Sequence, residues 1–201
     1  MQTYYIHPDN PQDRIIAQVV QALKDDQLIV YPDAHGYQLA LSLNAKSALK
    51  QAQRMAGQSA KAVLICQDLS QISHYGEVTN FAHRVMKNKL GTGIDFALIP
   101  TKATPKKLVD DKSKTIAVRI ATTPIVTALL DKLDEPFVSL PIIITNEVPT
   151  YYSSYEAEMA VENLVDGFMN AGELTQAVPT LIDISQDDIV IVQQGDAAFE
   201  A

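Results

Sequence analysis

Leu28-Ile29-Val30-Tyr31-Pro32-Asp33-Ala34-His35-Gly36-Tyr37-Gln38-Leu39 is the stretch whose reading decides the fold. Residues 28–31 are a β-rich run. Pro-Asp and then Gly follow, residue types that end a strand and set up a tight turn. Tyr37-Gln38-Leu39 then resumes an extended pattern. A strand, a tight turn and a second short strand are therefore expected here.

Working outward, apolar residues at helical spacing alternate with short apolar runs. Asn10-Pro11 has the residue types of an N-cap and first helical position. Ile15, Ile16, Val19, Val20 and Leu23 then share one face. Residues 44–56 repeat that pattern through Ala48, Leu49, Ala52 and Met55. Residues 62–66 form a buried-strand candidate containing the single cysteine, Cys66, read as a small buried hydrophobe. Asp68 and Thr79 or Asn80 are candidate caps for two further helices. Residues 95–99 and 115–120 are expected strands, and Thr123-Pro124 starts a helix. Residues 137–145 form a strand interrupted by Pro141, so it is bent, at an edge or short. Ser153-Ser154-Tyr155-Glu156 matches a capping box, with its helix expected to reach about Asn170 and stop near Gly172. Residues 181–184 and 189–192 close the chain as strands. No linker, repeat or low-complexity segment interrupts this order. The expectation is one α/β domain over residues 1–201, a twisted mixed sheet with packed helices and a concave cleft.

Composition narrows the class. With 201 residues, 47% of them hydrophobic, the chain can bury a large core without disulfides or metal. No apolar run reaches the length of a membrane span, and no basic residue with an apolar run opens the chain. One cysteine and no leader pattern point to the cytoplasm. The net charge of −8 is unevenly spread. Residues 1–119 hold 15 Lys/Arg against 10 Asp/Glu, and residues 120–201 hold one Lys, Lys132, against 14 acids. The acidic part repels phosphate backbones at long range. Lys102, Lys106, Lys107, Lys112 and Lys114 form a Lys-rich stretch, read as a solvated face. RNA, bound weakly, is kept as an alternative partner.

The common chemical motifs are absent. There is no Gly-rich phosphate loop, no Gly-x-Gly-x-x-Gly opening a helix and no Gly-x-Ser-x-Gly elbow. His7, His35, His74 and His83 have no metal-ligand spacing, so no metal site is assigned. Asp33-Ala34-His35 offers an acid/base pair on a turn, although such residues more often serve local hydrogen bonds.

The opening stretch resembles the signature Tyr-Pro-Thr-Asp-Thr/Ser-x-Tyr-x-Leu-Gly of the YrdC/YciO family, which includes the threonylcarbamoyl-AMP synthases of tRNA modification. Later landmarks follow in family order. Arg54-Met55-Ala56 falls where the family has Lys-x-Arg, with Lys61 beyond it. Gly91-Thr92-Gly93-Ile94-Asp95-Phe96 falls at Pro-Gly-x-x-Thr. Ile116-Ala117-Val118-Arg119-Ile120 resembles the strand ending Arg-x-Pro. Glu135 to Ile143 sits where Thr-Ser-x-Asn follows a Pro and an apolar run. Pro179-Thr180-Leu181-Ile182-Asp183 resembles the Ser/Thr-Thr-Val-Val-Asp strand.

The resemblance implies the YrdC-like fold, closest to YciO-type members. It also implies one pocket that, in the synthases, takes threonine, bicarbonate and ATP with magnesium. Tyr31, Asp33, His35, Arg54, Lys61, Asp95, Arg119, Ser139 and Thr180 are the substrate-binding candidates it implies; no catalytic residue is assigned. Several positions depart from the family. Asp33 and Ala34 replace Thr and Asp, Ala56 replaces Arg, and Asp95 replaces Thr. Leu140, Pro141 and Ile143 replace Thr, Ser and Asn, and Gln193 stands where many members have Arg.

Two added acids and lost cation and hydroxyl sites make triphosphate binding electrostatically poor. The expectation is a YciO-like protein with weak or lost synthase activity and an altered small-ligand cleft, suited to a zwitterion or monoanion. Asp95 either stays open to such a ligand or pairs with Arg54 or Arg119 and closes the site. An active synthase, a nucleotidyltransferase needing ATP and magnesium, is the alternative. Oligomeric state is not legible.

Overall fold

The computed structural model describes residues 1–57, 60–87, 89–143, 151–175 and 177–199. In chain order the elements are β1 (Gln2–Tyr5), α1 (Asp13–Lys24), β2 (Ile29–Asp33), β3 (Gly36–Ser42), α2 (Ser47–Ala56), β4 (Val63–Cys66), α3 (Leu69–Tyr75) and α4 (Asn80–Lys87). Then come β5 (Ile94–Leu98), β6 (Ile116–Ile120), α5 (Pro124–Leu133), β7 (Phe137–Pro141), α6 (Ser154–Val161), β8 (Gly167–Asn170), β9 (Thr180–Asp183) and β10 (Val190–Gln193). This is the α/β class expected from the alternation of patterns, with mixed strand pairing.

The chain divides into two compact units, and neither is one continuous segment. The first unit is Met1–Ala60 with Thr122–Gln176, and the second is Lys61–Ala121 with Ala177–Ala201. In the first unit the strands run β1-β8-β2-β3-β7. β8 is parallel to both β1 and β2, whereas β2–β3 and β3–β7 are antiparallel. In the second unit the order is β4-β6-β5-β9-β10, with β4–β6 and β5–β9 parallel and β6–β5 and β9–β10 antiparallel.

Burial explains the pattern. β2 and β3 are buried along their whole length, as strands covered on both faces must be. On α1 the buried residues Ile16, Val19, Val20 and Leu23 recur at helical spacing. Caps were legible where the side chain reaches the backbone. Asp68 accepts from the Gln71 N–H at 2.8 Å, and Thr79 from that of Ala82 at 3.1 Å. Thr123 accepts from the Val126 N–H with Pro124 in the first turn, and Ser153 from the Glu156 N–H.

Three expectations are corrected. α1 starts at Asp13 with Gln12 in the cap position, not at Asn10-Pro11. His7 Nδ1 takes the Asp9 and Asn10 N–H groups, and Gln12 Oε1 takes the N–H of His7, so this segment is a turn. α6 stops at Val161, and residues 167–170 form β8 rather than a helical end. The Asp166 carboxylate receives the Leu28 N–H at 2.8 Å, which locks that strand to β2. A β-carbon at position 167 would lie 2.7 Å from Ile29 Cδ1 and 2.9 Å from Tyr4 Cε2, so a larger residue there would force those side chains to shift. Third, β1 was not anticipated: of its residues only Tyr4 is buried. The expected strand 137–145 ends at Pro141, which pairs with Gln38, and its last two positions lie outside the described residues.

Candidate functional site

The β2–β3 hairpin builds the first group. Asp33 pairs with Gly36, leaving Ala34 and His35 as the loop. Gly36 has φ of 87°, the left-handed region that an L side chain rarely adopts. The loop brings the Asp33 and His35 side chains together. Asp33 Oδ1 accepts from the Ala34 N–H at 2.8 Å, and Oδ2 lies 3.8 Å from His35 Nδ1. Tyr31, two residues back on the same face, places its hydroxyl 3.4 Å from Asp33 Oδ2. That hydroxyl donates to Ser139 Oγ on β7 at 2.9 Å, and its ring stands edge-on to Phe137 at 5.2 Å.

All four polar residues are buried, His35 at 3% exposure. His35 Nδ1 has no hydrogen-bond partner among the described residues. A buried polar atom without a partner costs about 1–3 kcal/mol, so the site holds unused capacity for a ligand group or a water. Arg54 stands exposed in the last turn of α2, and no hydrogen bond or ion pair among the described residues joins it to this group.

The second group belongs to β5, β6 and β9. Asp95 and Arg119 lie next to the Phe96–Val118 pair of the antiparallel β5–β6 ladder. Arg119 Nε donates to Asp95 Oδ1 at 2.6 Å and Nη2 to Oδ2 at 2.7 Å. This is a bidentate pair between two residues that are 6% and 3% exposed. Of the two outcomes open for Asp95, the structure shows it paired with Arg119. Thr180 is fully buried. Its hydroxyl donates to the Ala197 carbonyl at 2.7 Å and receives the Gly195 N–H at 2.9 Å, so it fastens the chain's last turn. Lys61 acts on Asp110, whose carboxyl is held below the usual range chiefly by the Ser113 N–H, with Lys61 a smaller cause.

Other candidates resolve simply. Cys66 is fully buried, and burial pushes its thiol far up, so it is inert as a nucleophile. Among the described residues no three His, Cys, Asp or Glu are placed to hold a metal ion. No helix of the described residues is long and apolar enough to cross a membrane.

Sequence reasoning passed over Tyr37, which the structure makes a tie between segments. Its hydroxyl donates to the Gly172 carbonyl at 2.6 Å and receives the Ala171 N–H at 3.2 Å, and its ring stacks on Phe168. Burial raises its pKa from 10.0 to about 12, against a lowering hydrogen bond from Ala171. The folded state therefore keeps a proton that the unfolded chain loses first. The stability this contributes is complete below pH 10 and drains away as pH rises toward 12. Urea unfolding across that range is expected to show a fall that is smaller in Tyr37→Phe. An equal fall in the variant would assign it to other groups.

Comparison with known proteins places this architecture. The Sua5/YciO/YrdC family model, described as telomere recombination, matches residues 21–195. The chain belongs to that family. Within it, the chain is 37% identical to YciO of Escherichia coli K12 over 196 residues, covering 96% of this chain and 95% of that one. A Haemophilus influenzae protein is 36% identical over 197 residues, with the same coverages. The E. coli YciO crystal structure superposes with a TM-score of 0.92, covering 98% of this chain and 97% of the other. P. abyssi Sua5, solved in complex with L-threonine, shares the fold at 15% identity. Its TM-score is 0.87, with 97% of this chain and 58% of that one covered.

Proposed function

We propose that this YciO-like protein binds a small zwitterionic or monoanionic ligand, an amino acid being the leading candidate, and that its threonylcarbamoyl-AMP synthesis is weak or lost. The observation that carries this reading is the bidentate Asp95–Arg119 pair. A guanidinium already matched to a carboxylate presents a nearly neutral surface to an approaching phosphate. Ala56 and the apolar Leu140 and Ile143 supply no compensating cation or hydroxyl. ATP with magnesium, the family's energy source, therefore has a poor donor set in this chain.

The hairpin group favours the opposite charge. Asp33 Oδ2 and His35 Nδ1 stand 3.8 Å apart, so one ammonium nitrogen can lie within hydrogen-bond distance of both. The L-threonine bound by P. abyssi Sua5 supports an amino acid as the ligand class.

Purified protein given ATP, threonine and bicarbonate is expected to form no detectable threonylcarbamoyl-AMP. Calorimetric titration with ATP is expected to give negligible heat, and Asp95→Thr, where it still melts cooperatively, to gain ATP affinity. Turnover by the wild type that is lost in Arg119→Ala, or tight ATP binding without substitution, would overturn the reading.

A further inference from the structure

We propose that the free edge of β1, with the groove beside it, is a docking site for an extended, lysine- or arginine-bearing peptide segment of a partner protein. The inference is independent of the small-ligand reading. It begins with the backbone. The N–H groups of Gln2 and Ile6 donate to the carbonyls of Asp166 and Asn170 at 2.8 and 3.0 Å. Strand alternation then turns the N–H and C=O of Thr3 and Tyr5 away from β8. No described strand pairs with that side of β1. Folded proteins commonly guard such an edge with lysine, proline or a bulge. Residues 1–6, Met-Gln-Thr-Tyr-Tyr-Ile, carry no lysine, no proline and no charged side chain, and the β1–β8 register runs without a bulge. An edge of this kind is a template for one more strand.

The adjoining groove, about 370 Å³, says what that strand should carry. Thr3 of β1 and Tyr155, Glu158, Met159 and Glu162 of α6 and its C-cap line it. Tyr155 and Met159 are 70% and 62% exposed, and Tyr5 nearby 71%. Glu158 is fixed in place: one oxygen accepts from the Thr3 hydroxyl at 2.6 Å and the other lies 3.4 Å from Asn170 Nδ2. Glu162 lies one turn further on, so two like charges face each other at i, i+4. Glu162 also caps the C-terminal end of α6, where the helix dipole disfavours an anion. Among the described residues no ion pair with a Lys or Arg relieves either strain.

A partner's ammonium or guanidinium would relieve both. Its aliphatic stem would lie along Met159 and the Tyr155 ring. A second copy of this chain is the poorer occupant. The unit that bears β1 holds 6 Lys/Arg against 14 Asp/Glu, so edge-to-edge pairing would bring like charges together.

The test uses a short fluorescein-labelled peptide of alternating valine and lysine, read by anisotropy against the full chain at low and high salt. A glutamate-for-lysine counterpart and a peptide methylated on alternate backbone nitrogens serve as controls. The lysine peptide is expected to bind and the glutamate peptide not to. Binding is expected to weaken about tenfold in Glu158→Gln/Glu162→Gln and in Tyr5→Pro, which deletes an outward N–H and no bond to β8. If Tyr5→Pro fails to fold, the methylated peptide tests the same hydrogen bonds from the other side. No binding, equal binding of both charge types, or indifference to backbone methylation would overturn the proposal. So would self-association through β1 in sedimentation, abolished by Tyr5→Pro, which would name the second copy as occupant.

Discussion

Asp95→Ala is expected to lower the unfolding free energy by about 3–5 kcal/mol, the range for breaking a buried ion pair from one side. The substitution removes the partner that holds both Nε and Nη2 of Arg119 and leaves a guanidinium 6% exposed to solvent. Arg119→Ala should cost a comparable amount by stranding the carboxylate. Replacing both together, with Asp95→Leu and Arg119→Met, should recover most of the loss, since neither charge is then left buried alone. Urea midpoints for the two single variants and the double variant decide it. Single variants within about 1 kcal/mol of wild type would show that the pair is not desolvated as its burial implies.

Phe168→Ala is expected to cost about 3–5 kcal/mol, the range for emptying a large aromatic site in a core. Phe168 is fully buried and stacks on Tyr37 with ring centroids 5.1 Å apart. It also sits opposite both Thr3 of β1 and Val30 of β2, so the cavity would open where β8 joins its neighbours. Val190→Ala, on the exposed β10, should stay within about 0.5 kcal/mol of wild type. A Phe168→Ala loss as small as that would mean that the site collapses freely around the missing ring.

The same strand shows where sequence reading stops. Val161, Leu164, Val165, Phe168 and Met169 recur at helical spacing, and the capping box at Ser153 truly starts a helix. Periodicity therefore extended α6 across residues that form β8. What overrides it is distant in sequence: the Leu28 N–H held by Asp166, and the close packing of the Ile29 and Tyr4 side chains over Gly167. Gly167 was the available warning, since glycine inside a helix costs about 1 kcal/mol. The turn at residues 34–35, the cap at Thr123 and the buried Cys66 depend on local chemistry and were legible.

The site divides along the same line. Tyr31, Asp33 and His35 are close in sequence, and their grouping could be read from one hairpin. The choice of Arg119 as the partner of Asp95 depends on antiparallel register between β5 and β6, which no local pattern encodes.

The parallel insertion of β8 between β1 and β2 governs the order in which a growing chain can complete itself. β1 and β2 leave the ribosome early, yet the strand that separates them is drawn from residues 167–170. Until then the two flank a vacant slot. The first unit cannot complete itself before much of the second has been made, because residues 61–121 of the other unit lie between its two segments. Ribosome-stalled chains ending before residue 167 should accordingly remain protease-sensitive through β1 and β2, and become resistant in one step once β8 is available.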